Sequence, residues 1–227
     1  MLKNILITSA TIQEIEPFLK WLKRNSVLCS KEKNYFCFNL NKTKIHIKIC
    51  GVGMVSTAYE LGKLSHEKFD YAINVGIAGS FDKSIKIGEV VVVKEEIFSE
   101  LGSEDGKSFL KISELNLGNE KIIPSKLFVP KKILSHLKKV RGITVNTVHG
   151  DIHSIKKVVE RFQPQIESME GGAFYFACHH NKWKCLQIRA ISNYVEKRDK
   201  TKWNIPLAIQ ELNKTLIFLI KYLCNIH

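Results

Sequence analysis

Three short apolar runs, each followed by small residues, constrain the fold of this 227-residue chain more than any other feature. The runs occupy residues 5–9, 45–50 and 71–75, and each is typical of a buried strand. Helical patterns follow the first two. This alternation predicts a parallel sheet whose loops gather at the carboxyl ends of the strands. Ligands bind at that edge in open α/β sheets.

The remaining periodicity extends this pattern over the whole chain. We expect one domain, residues 1–227, with three α/β/α layers around a central twisted, mixed and mostly parallel sheet. Residues 99–106 are polar and predict a loop, whereas residues 107–130 carry too little periodicity for a prediction. The other expected elements are a hairpin of strands at 34–39 and 43–50, strands at 87–93, 141–148 and 185–191, helices at 130–137, 155–162 and 171–179, and a final amphipathic helix opened by Pro206.

Charge and cysteine content narrow the class of protein. The formal net charge is +13, but only five of the 35 basic residues are Arg, the residue that supplies bidentate phosphate and base contacts. The scattered Lys residues therefore favour a solvated surface over a nucleic-acid partner. The six cysteines lack C-x-x-C spacing and favour core packing over disulfides or zinc. No apolar run reaches the roughly 18 residues of a membrane span, and Met1 leads directly into a strand-like run, so we expect a cytoplasmic protein without a membrane partner.

Two carboxylates lie beside glycines in the stretch Glu167-Ser168-Met169-Glu170-Gly171-Gly172-Ala173. Buried Glu is rare unless it is paired or hydrogen-bonded. Glu170 therefore either lies at the surface of a helix N-terminus, where negative charge is favourable, or faces a cavity and holds a polar ligand. Glu14 presents a similar choice, because it follows Thr11 at capping-box spacing and also lies just past the first strand. The residues alone leave both alternatives open.

The strand–helix alternation brings five stretches to one edge of the sheet. Two carboxylates, an amide and two glycine loops suit a neutral polyhydroxylated ligand that carries a heteroaromatic base. The His residues are scattered and lack the spacing of metal ligands, so we expect no metal site. The five stretches are Glu14, the Gly51–Gly53 loop, the Gly76–Gly79 loop, Met169-Glu170 and Ser192-Asn193.

Taken in order, these stretches resemble the nucleoside phosphorylase/hydrolase superfamily, especially nucleosidases such as methylthioadenosine/adenosylhomocysteine nucleosidase. The resemblance covers nearly the whole chain, and Gly76–Phe81, Glu100–Gly102, Glu167–Gly171 and Gln187–Tyr194 are similar to the futalosine hydrolases of the menaquinone pathway. It implies the superfamily's fold, a small-molecule nucleoside substrate and no metal or organic cofactor. It also implies a homodimer or a higher homo-oligomer.

The resemblance implies roles for individual residues as well. Glu14 matches the carboxylate that activates water, and Glu170 matches the residue that holds the ribose hydroxyls, with Met169 packing on the sugar. Asn193 stands where the adenine-specific nucleosidases carry Asp as general acid for the purine N7. Phe81 and the Thr147–His149 loop are candidates for stacking on the base, and Glu167 has no assigned role. The residues implied for substrate binding are Gly53, Ile77, Ala78, Gly79, Phe81, Val148, Ser168, Met169, Glu170 and Ser192.

Asn193 favours a 6-oxopurine as the leaving group. An amide can donate to the 6-carbonyl oxygen of hypoxanthine and accept from a protonated N7, whereas a carboxylate would face the carbonyl lone pairs. Because Asn has no proton of useful pKa, N7 either takes its proton from solvent or is already protonated when Asn193 stabilises the leaving base. The alternative is that Asn193 is a loop residue that caps a turn.

Water is favoured over phosphate as the nucleophile. The phosphorylase relatives place Arg near the first loop and before the glycine loop, where this chain has Ser9-Ala10-Thr11 and Ile73-Asn74-Val75. A carboxylate at Glu14 would also repel phosphate. We therefore expect hydrolysis of the N-glycosidic bond of a 6-oxopurine nucleoside, futalosine in particular, with release of hypoxanthine. The alternatives are another purine nucleosidase or phosphorylase, acting on methylthioadenosine/adenosylhomocysteine or inosine, and a non-catalytic purine- or nucleic-acid-binding protein.

Overall fold

A ten-stranded sheet forms the centre of the computed structural model, which describes residues 3–124 and 126–226. Strands β7 and β8 form a separate hairpin, and a short 3-10 turn at Lys200–Lys202 precedes the last helix. The elements in chain order are β1 (Lys3–Ser9), α1 (Ile12–Asn25), β2 (Val27–Glu32), β3 (Tyr35–Leu40), β4 (Thr43–Ile49), α2 (Met54–Gly62), β5 (Tyr71–Ser80), β6 (Val90–Phe98), β7 (Gly102–Asp105), β8 (Ser108–Lys111), β9 (Lys121–Ile122), α3 (Lys131–Leu134), β10 (Lys139–Thr144), α4 (Ile152–Phe162), β11 (Ile166–Ser168), α5 (Gly171–Asn181), β12 (Cys185–Tyr194) and α6 (Ile205–Leu223).

The sheet runs in the order β11-β10-β6-β12-β5-β1-β4-β3-β2, with β9 beside β6. Its centre is parallel, because β1 lies between β4 and β5, and β5 pairs with β12 in the same direction. β6 runs antiparallel to β12, and β10 and β11 continue parallel to β6. β11 also pairs with β5, so β5, β12, β6, β10 and β11 close into a small ring. This mixed sheet with its helices confirms the predicted α/β architecture.

Alternate residues of the central strands pack against helices on opposite sides of the sheet. In β1, Ile5 and Ile7 belong to a core cluster with residues of α1 and α6, whereas Leu6 packs in a second cluster with residues of α2 and α5. Val92 and Val93 of β6 divide in the same way. Because both faces are covered, these strands have continuous apolar sequences rather than alternating ones. Within the described residues, none of the helices has the length and apolar character needed to cross a membrane.

Strand β5 replaces the expected Gly76–Gly79 loop, so that prediction is wrong. The strand continues to Ser80 because the residues from Gly76 onward pair with β12, and Gly79 and Ser80 also pair with β11. The small residues therefore do not end β5, and Ala78 and Gly79 instead line a cavity beside this strand. β12 likewise continues to Tyr194, so Ser192 and Asn193 lie in a strand with an irregular register after Ile191, not in a loop.

Two exposed stretches form strands that the sequence pattern does not reveal. Residues 99–106, expected as a loop, contain β7, which pairs with β8. β2 is exposed along its whole length. Neither β2 nor β7 buries an apolar face, so neither leaves a hydrophobic period in the sequence. The predicted strand ends also move: β6 continues to Phe98, and β10 stops at Thr144, four residues before the predicted end.

Candidate active site

A cavity of about 410 Å³ opens at the carboxyl ends of the central strands. Small-molecule sites span about 300–1,000 Å³, so a nucleoside-sized ligand fits. In the described part of the chain, no three His, Cys, Asp or Glu side chains cluster as metal ligands do. The lining residues are Ala10, Thr11, Gln13, Glu14, Val52, Ile77, Ala78, Gly79, Val148, His149, Glu167, Ser168, Met169, Glu170, Ser192, Asn193, Tyr194, Glu196, Arg198, Trp203, Ile205 and Ile209.

Most residues that the sequence assigns to the site lie in this wall. Gly53 and Phe81 are not among the lining residues. The Gly53 N–H donates a hydrogen bond to the Glu170 carboxylate, and the Phe81 ring centre lies 6.2 Å from that of His149. The structure thus brings the predicted residues together, while their individual roles remain predictions. Those in the wall are Glu14, Ile77, Ala78, Gly79, Val148, Ser168, Met169, Glu170, Ser192 and Asn193.

Glu14 uses its two carboxylate oxygens for different purposes. Oε2 accepts from the Thr11 backbone N–H at 3.0 Å and from the Ser9 hydroxyl at 2.9 Å, which fixes the start of α1 as a capping box does. Oε1 accepts from the Ile77 N–H of β5 at 3.1 Å. Both sequence-based alternatives therefore apply, because Glu14 caps its helix and also lines the cavity.

Arg189 is a functional candidate that the sequence analysis missed. Its side chain is 1 % exposed and donates to Asn74 Oδ1, while its Nε has no hydrogen-bond partner within residues 3–124 and 126–226. A Cβ at Gly76 would lie 2.9 Å from both Arg189 Nη1 and Glu14 Oε1, so only glycine lets this cation and this carboxylate approach the same point of β5. Burying a cation costs free energy unless the cation is paired with an opposite charge and hydrogen-bonded. The available signal was a charged residue inside the apolar run 185–191.

Glu170 is the N-cap residue of α5 and lines the cavity. Its Oε1 accepts from the Gly53 N–H at 3.0 Å, so the glycine turn before α2 holds the carboxylate in place. Gly53 has φ 96°, a conformation that favours glycine. Burial raises the pKa of Glu170, and the positive charge of Arg189 opposes this rise. The two alternatives for Glu170 again coincide, since it starts a helix and faces a ligand-sized space.

Asn193 is oriented by its neighbours in β12. Its Oδ1 accepts from the Ser192 hydroxyl at 2.7 Å, and its Nδ2 donates to the Tyr194 carbonyl at 3.0 Å. An amide has two hydrogens and two oxygen lone pairs, so one of each is left for a ligand. The alternative of a turn-capping loop residue is wrong, because Asn193 pairs with Gly79 of β5.

Glu167, the other carboxylate of the 167–173 stretch, is paired with the imidazole of His149. Glu167 is 4 % exposed, and its Oε2 lies 2.7 Å from His149 Nδ1. Its Oε1 accepts from the His149 backbone N–H at 3.1 Å. The resemblance found in the sequence implies no role for Glu167, and it places His149 only in a loop that is a candidate for stacking on the base. The pairing spans 18 residues, which no local pattern could reveal.

A carboxyl group without solvent contact lies beneath the start of α5. Glu96 is fully buried, and it accepts from Thr144 Oγ1 at 3.0 Å and from the Gln187 amide. Thr144 Oγ1 in turn accepts from the Gly172 N–H at 2.6 Å. This network links β6, β10 and β12 to the helix that begins directly after Glu170. Burial raises the pKa of Glu96 to about 7.

The raised pKa of Glu96 makes stability depend on pH. The pKa of Glu96 in the folded protein lies above the ordinary value of 4.5. The protonated Glu96 side chain therefore contributes fully to the free energy of unfolding below about pH 4.5, and this contribution is lost as the pH rises through about 7. The shift corresponds to about 3 kcal/mol in the free energy of unfolding. Glu96→Gln, which buries no charge, is expected to flatten this dependence and to be more stable than the wild type above neutral pH. Urea unfolding from acidic to alkaline pH measures the effect. Parallel profiles for the two proteins would contradict it.

Comparison with known proteins agrees with this architecture. A family model described as "Phosphorylase superfamily" matches residues 4–221. The futalosine hydrolase of Thermus thermophilus is 27% identical over 172 residues, which cover 73% of this chain and 76% of the relative. The solved futalosine hydrolase of Helicobacter pylori has a TM-score of 0.83 at 17% identity, covering 98% of this chain and 99% of that chain. The 5′-methylthioadenosine/S-adenosylhomocysteine nucleosidase of Helicobacter pylori has a TM-score of 0.82 at 17% identity, covering 97% and 99%.

The two structural likenesses confirm the predicted fold, and the family model confirms the resemblance found in the sequence. The match to the family model begins in β1 and ends in α6, so it includes every strand that contributes to the cavity. This chain therefore belongs to the phosphorylase superfamily.

Proposed function

We propose that this protein is a hydrolase that cleaves the N-glycosidic bond of a 6-oxopurine nucleoside, with futalosine as substrate and hypoxanthine as the released base. The observation that carries the proposal is that Glu14, Glu170 and Asn193, supplied by three distant parts of the chain, line one cavity. Relatives named futalosine hydrolase support the choice of substrate. That substrate assigns the protein to menaquinone biosynthesis.

The two carboxylates suit two requirements of N-glycosidic hydrolysis, which are activation of the attacking water and binding of the ribose. Cleavage passes through an oxocarbenium-like transition state, in which positive charge develops on the sugar. Glu14, held by the Ile77 N–H, takes a proton from the attacking water. Glu170, held by the Gly53 N–H, accepts hydrogen bonds from the ribose hydroxyls. Arg189 limits the rise in the pKa of Glu170 and so favours its charged form, which stabilises the developing charge. Met169 packs on the sugar.

The amide of Asn193 supports the choice of base. Its remaining Nδ2 hydrogen can donate to O6 of hypoxanthine, whereas adenine presents an amino group at the same position. A site built around a hydrogen bond discriminates strongly against a ligand that cannot complete it, because a buried polar group is then left unpaired.

The charges around the cavity favour water over phosphate as the nucleophile. Among the described lining residues, four are carboxylates and one is Arg. That residue, Arg198, is exposed, and its guanidinium lies 5.0 Å from the Trp203 ring centre. A phosphate dianion beside several carboxylates is repelled unless cations compensate for them. This balance supports hydrolysis rather than phosphorolysis.

The identity of the released base tests the proposal. Purified protein is incubated separately with futalosine, inosine and methylthioadenosine, and the free bases are identified by chromatography. Hypoxanthine from futalosine, at a rate well above that with the other two nucleosides, is the expected result. Adenine from methylthioadenosine as the main product would overturn the assignment of a 6-oxopurine, and turnover of inosine alone would overturn the assignment of futalosine.

Asn193→Asp is expected to lower kcat/KM for the hypoxanthine nucleoside by about 10–10²-fold, because a carboxylate replaces the donor to O6 and leaves that oxygen facing a negative charge. The measurement is hypoxanthine release over a range of substrate concentrations. Asn119→Asp makes the same chemical change at an exposed position and should keep the wild-type value. Unchanged hypoxanthine release by Asn193→Asp would show that base specificity lies elsewhere.

A further inference from the structure

One step of the proposed reaction still lacks a residue to perform it. The purine needs a proton as its bond to the sugar breaks, and the amide of Asn193 has no acidic proton to give. Glu14 is assigned to the water and Glu170 to the ribose. Among the described lining residues, the other titratable side chains are His149, Glu167, Tyr194, Glu196 and Arg198.

The register of the sheet places Asn193 and Glu167 on either side of one glycine. Gly79 of β5 pairs with Asn193 of β12 on one edge and with Glu167 of β11 on the other. A Cβ built at Gly79 would lie 2.9 Å from Val195 Cγ2, 3.4 Å from Asn193 Nδ2 and 3.5 Å from Glu167 Cγ. Asn193, Glu167 and His149 all line the same cavity, so a base held by Asn193 would share that cavity with the Glu167 side chain and its partner.

That partner is His149, which occupies both oxygens of the Glu167 carboxylate. One oxygen accepts from the His149 backbone N–H at 3.1 Å, and the other lies 2.7 Å from Nδ1. A carboxylate at Nδ1 fixes the hydrogen on that nitrogen and stabilises the protonated ring. Nε2 is then the nitrogen that can serve a ligand, because the hydrogen bond to Glu167 uses Nδ1.

We propose that His149, oriented by Glu167, is the general acid that protonates the leaving purine at N7, an assignment that rests on the proposed nucleoside hydrolysis. The Nε2 proton passes to N7 while the C1′–N9 bond breaks and its electron pair goes to the purine. The water oxygen forms a bond to C1′ while Glu14 takes the water's proton. Proton exchange with solvent restores His149 and Glu14, so the sum is addition of water across C1′–N9. Asn193 keeps its role as the partner of O6.

The charged groups around His149 suit a proton donor. Glu167 faces it from β11, and the Arg198 backbone passes beside Gly150, with Arg198 Cβ 3.5 Å from a Cβ built at that glycine. The guanidinium of Arg198 stacks on Trp203 and is exposed, so solvent screens its charge. The nearby Asp151 is engaged in capping α4. The imidazole therefore has a buried carboxylate as its immediate charged neighbour.

A leaving group that needs no proton separates acid catalysis from a structural role. His149→Gln is assayed with futalosine and with p-nitrophenyl β-D-riboside, whose phenolate departs unprotonated. The variant is expected to lose about 10²–10³-fold in kcat on futalosine and less than about tenfold on the nitrophenyl riboside. Glu167→Gln should show the same pattern with a smaller loss.

His153→Gln is the matched control, because His153 is an exposed histidine on α4. It should keep both activities. Equal losses on the two substrates by His149→Gln would overturn the assignment and show a structural role. Wild-type futalosine turnover in His149→Gln would also overturn it. A wild-type protein that hydrolyses neither substrate would overturn the proposed function itself, and this assignment with it.

Discussion

Glu14→Gln is expected to lower the kcat of nucleoside hydrolysis by about 10²–10⁴-fold, the usual contribution of a positioned general base. The substitution keeps the shape of the side chain but removes the charge that accepts a proton from water. Binding should change little, because Glu170, Asn193 and the rest of the cavity wall are untouched. Steady-state kinetics, together with calorimetric titration of the inactive variant with substrate, measures both quantities.

The cap formed by Glu14 requires its own control. The carboxylate of Glu14 accepts hydrogen bonds from Ser9, Thr11 and Ile77, whereas Gln offers only one carbonyl oxygen. The free energy of unfolding should therefore fall by about 1 kcal/mol. Thermal unfolding separates this loss from the catalytic one. Glu16→Gln removes an exposed carboxylate from the same helix and should keep full activity. If Glu14→Gln works at nearly the wild-type rate, Glu14 is only a cap.

Gly171→Ala is expected to cause the largest loss of stability. A Cβ at this position would lie 2.0 Å from Glu96 Oε1 and 2.6 Å from Gln187 Oε1, inside the fully buried network beneath α5. The helix must move or the network must break, and overpacking of this kind costs about 3 kcal/mol. For a chain of this size, that corresponds to a fall in Tm of roughly 6–12 °C. Activity should fall as well, because Glu170 directly precedes the displaced residue.

Gly62→Ala is the matched control for Gly171→Ala. Gly62 is the last residue of α2, and a Cβ there meets nothing within 4 Å. Alanine also lowers the conformational entropy of the unfolded chain, so stability should stay the same or rise slightly. Differential scanning calorimetry of both variants makes the comparison. An equal Tm for Gly171→Ala and the wild type would show that the network adapts to a methyl group.

The sequence predicts the central elements because their signals are local. The apolar runs of β1 and β4 and the Thr11–Glu14 spacing each depend on a few consecutive residues. Glu14 was therefore identifiable both as a cap and as a candidate site residue. The same holds for Glu170, whose two glycine neighbours mark a helix that starts close to other atoms.

The parts that could not be predicted depend on partners far along the chain. β5 continues through Gly76 and Gly79 because β11 and β12 supply hydrogen bonds from about ninety to more than a hundred residues away. β2 and β7 are exposed and leave no hydrophobic period. The Glu167–His149 pair and the contacts of Arg189 likewise form only when distant strands meet.

The most direct test of the account is the rate of hypoxanthine release from futalosine by the purified protein in phosphate-free buffer, with and without added phosphate. Hydrolysis at this cavity predicts the same rate in both buffers, with the free sugar as the second product. Release that requires phosphate and yields a sugar phosphate would contradict the account, and so would a complete absence of hypoxanthine.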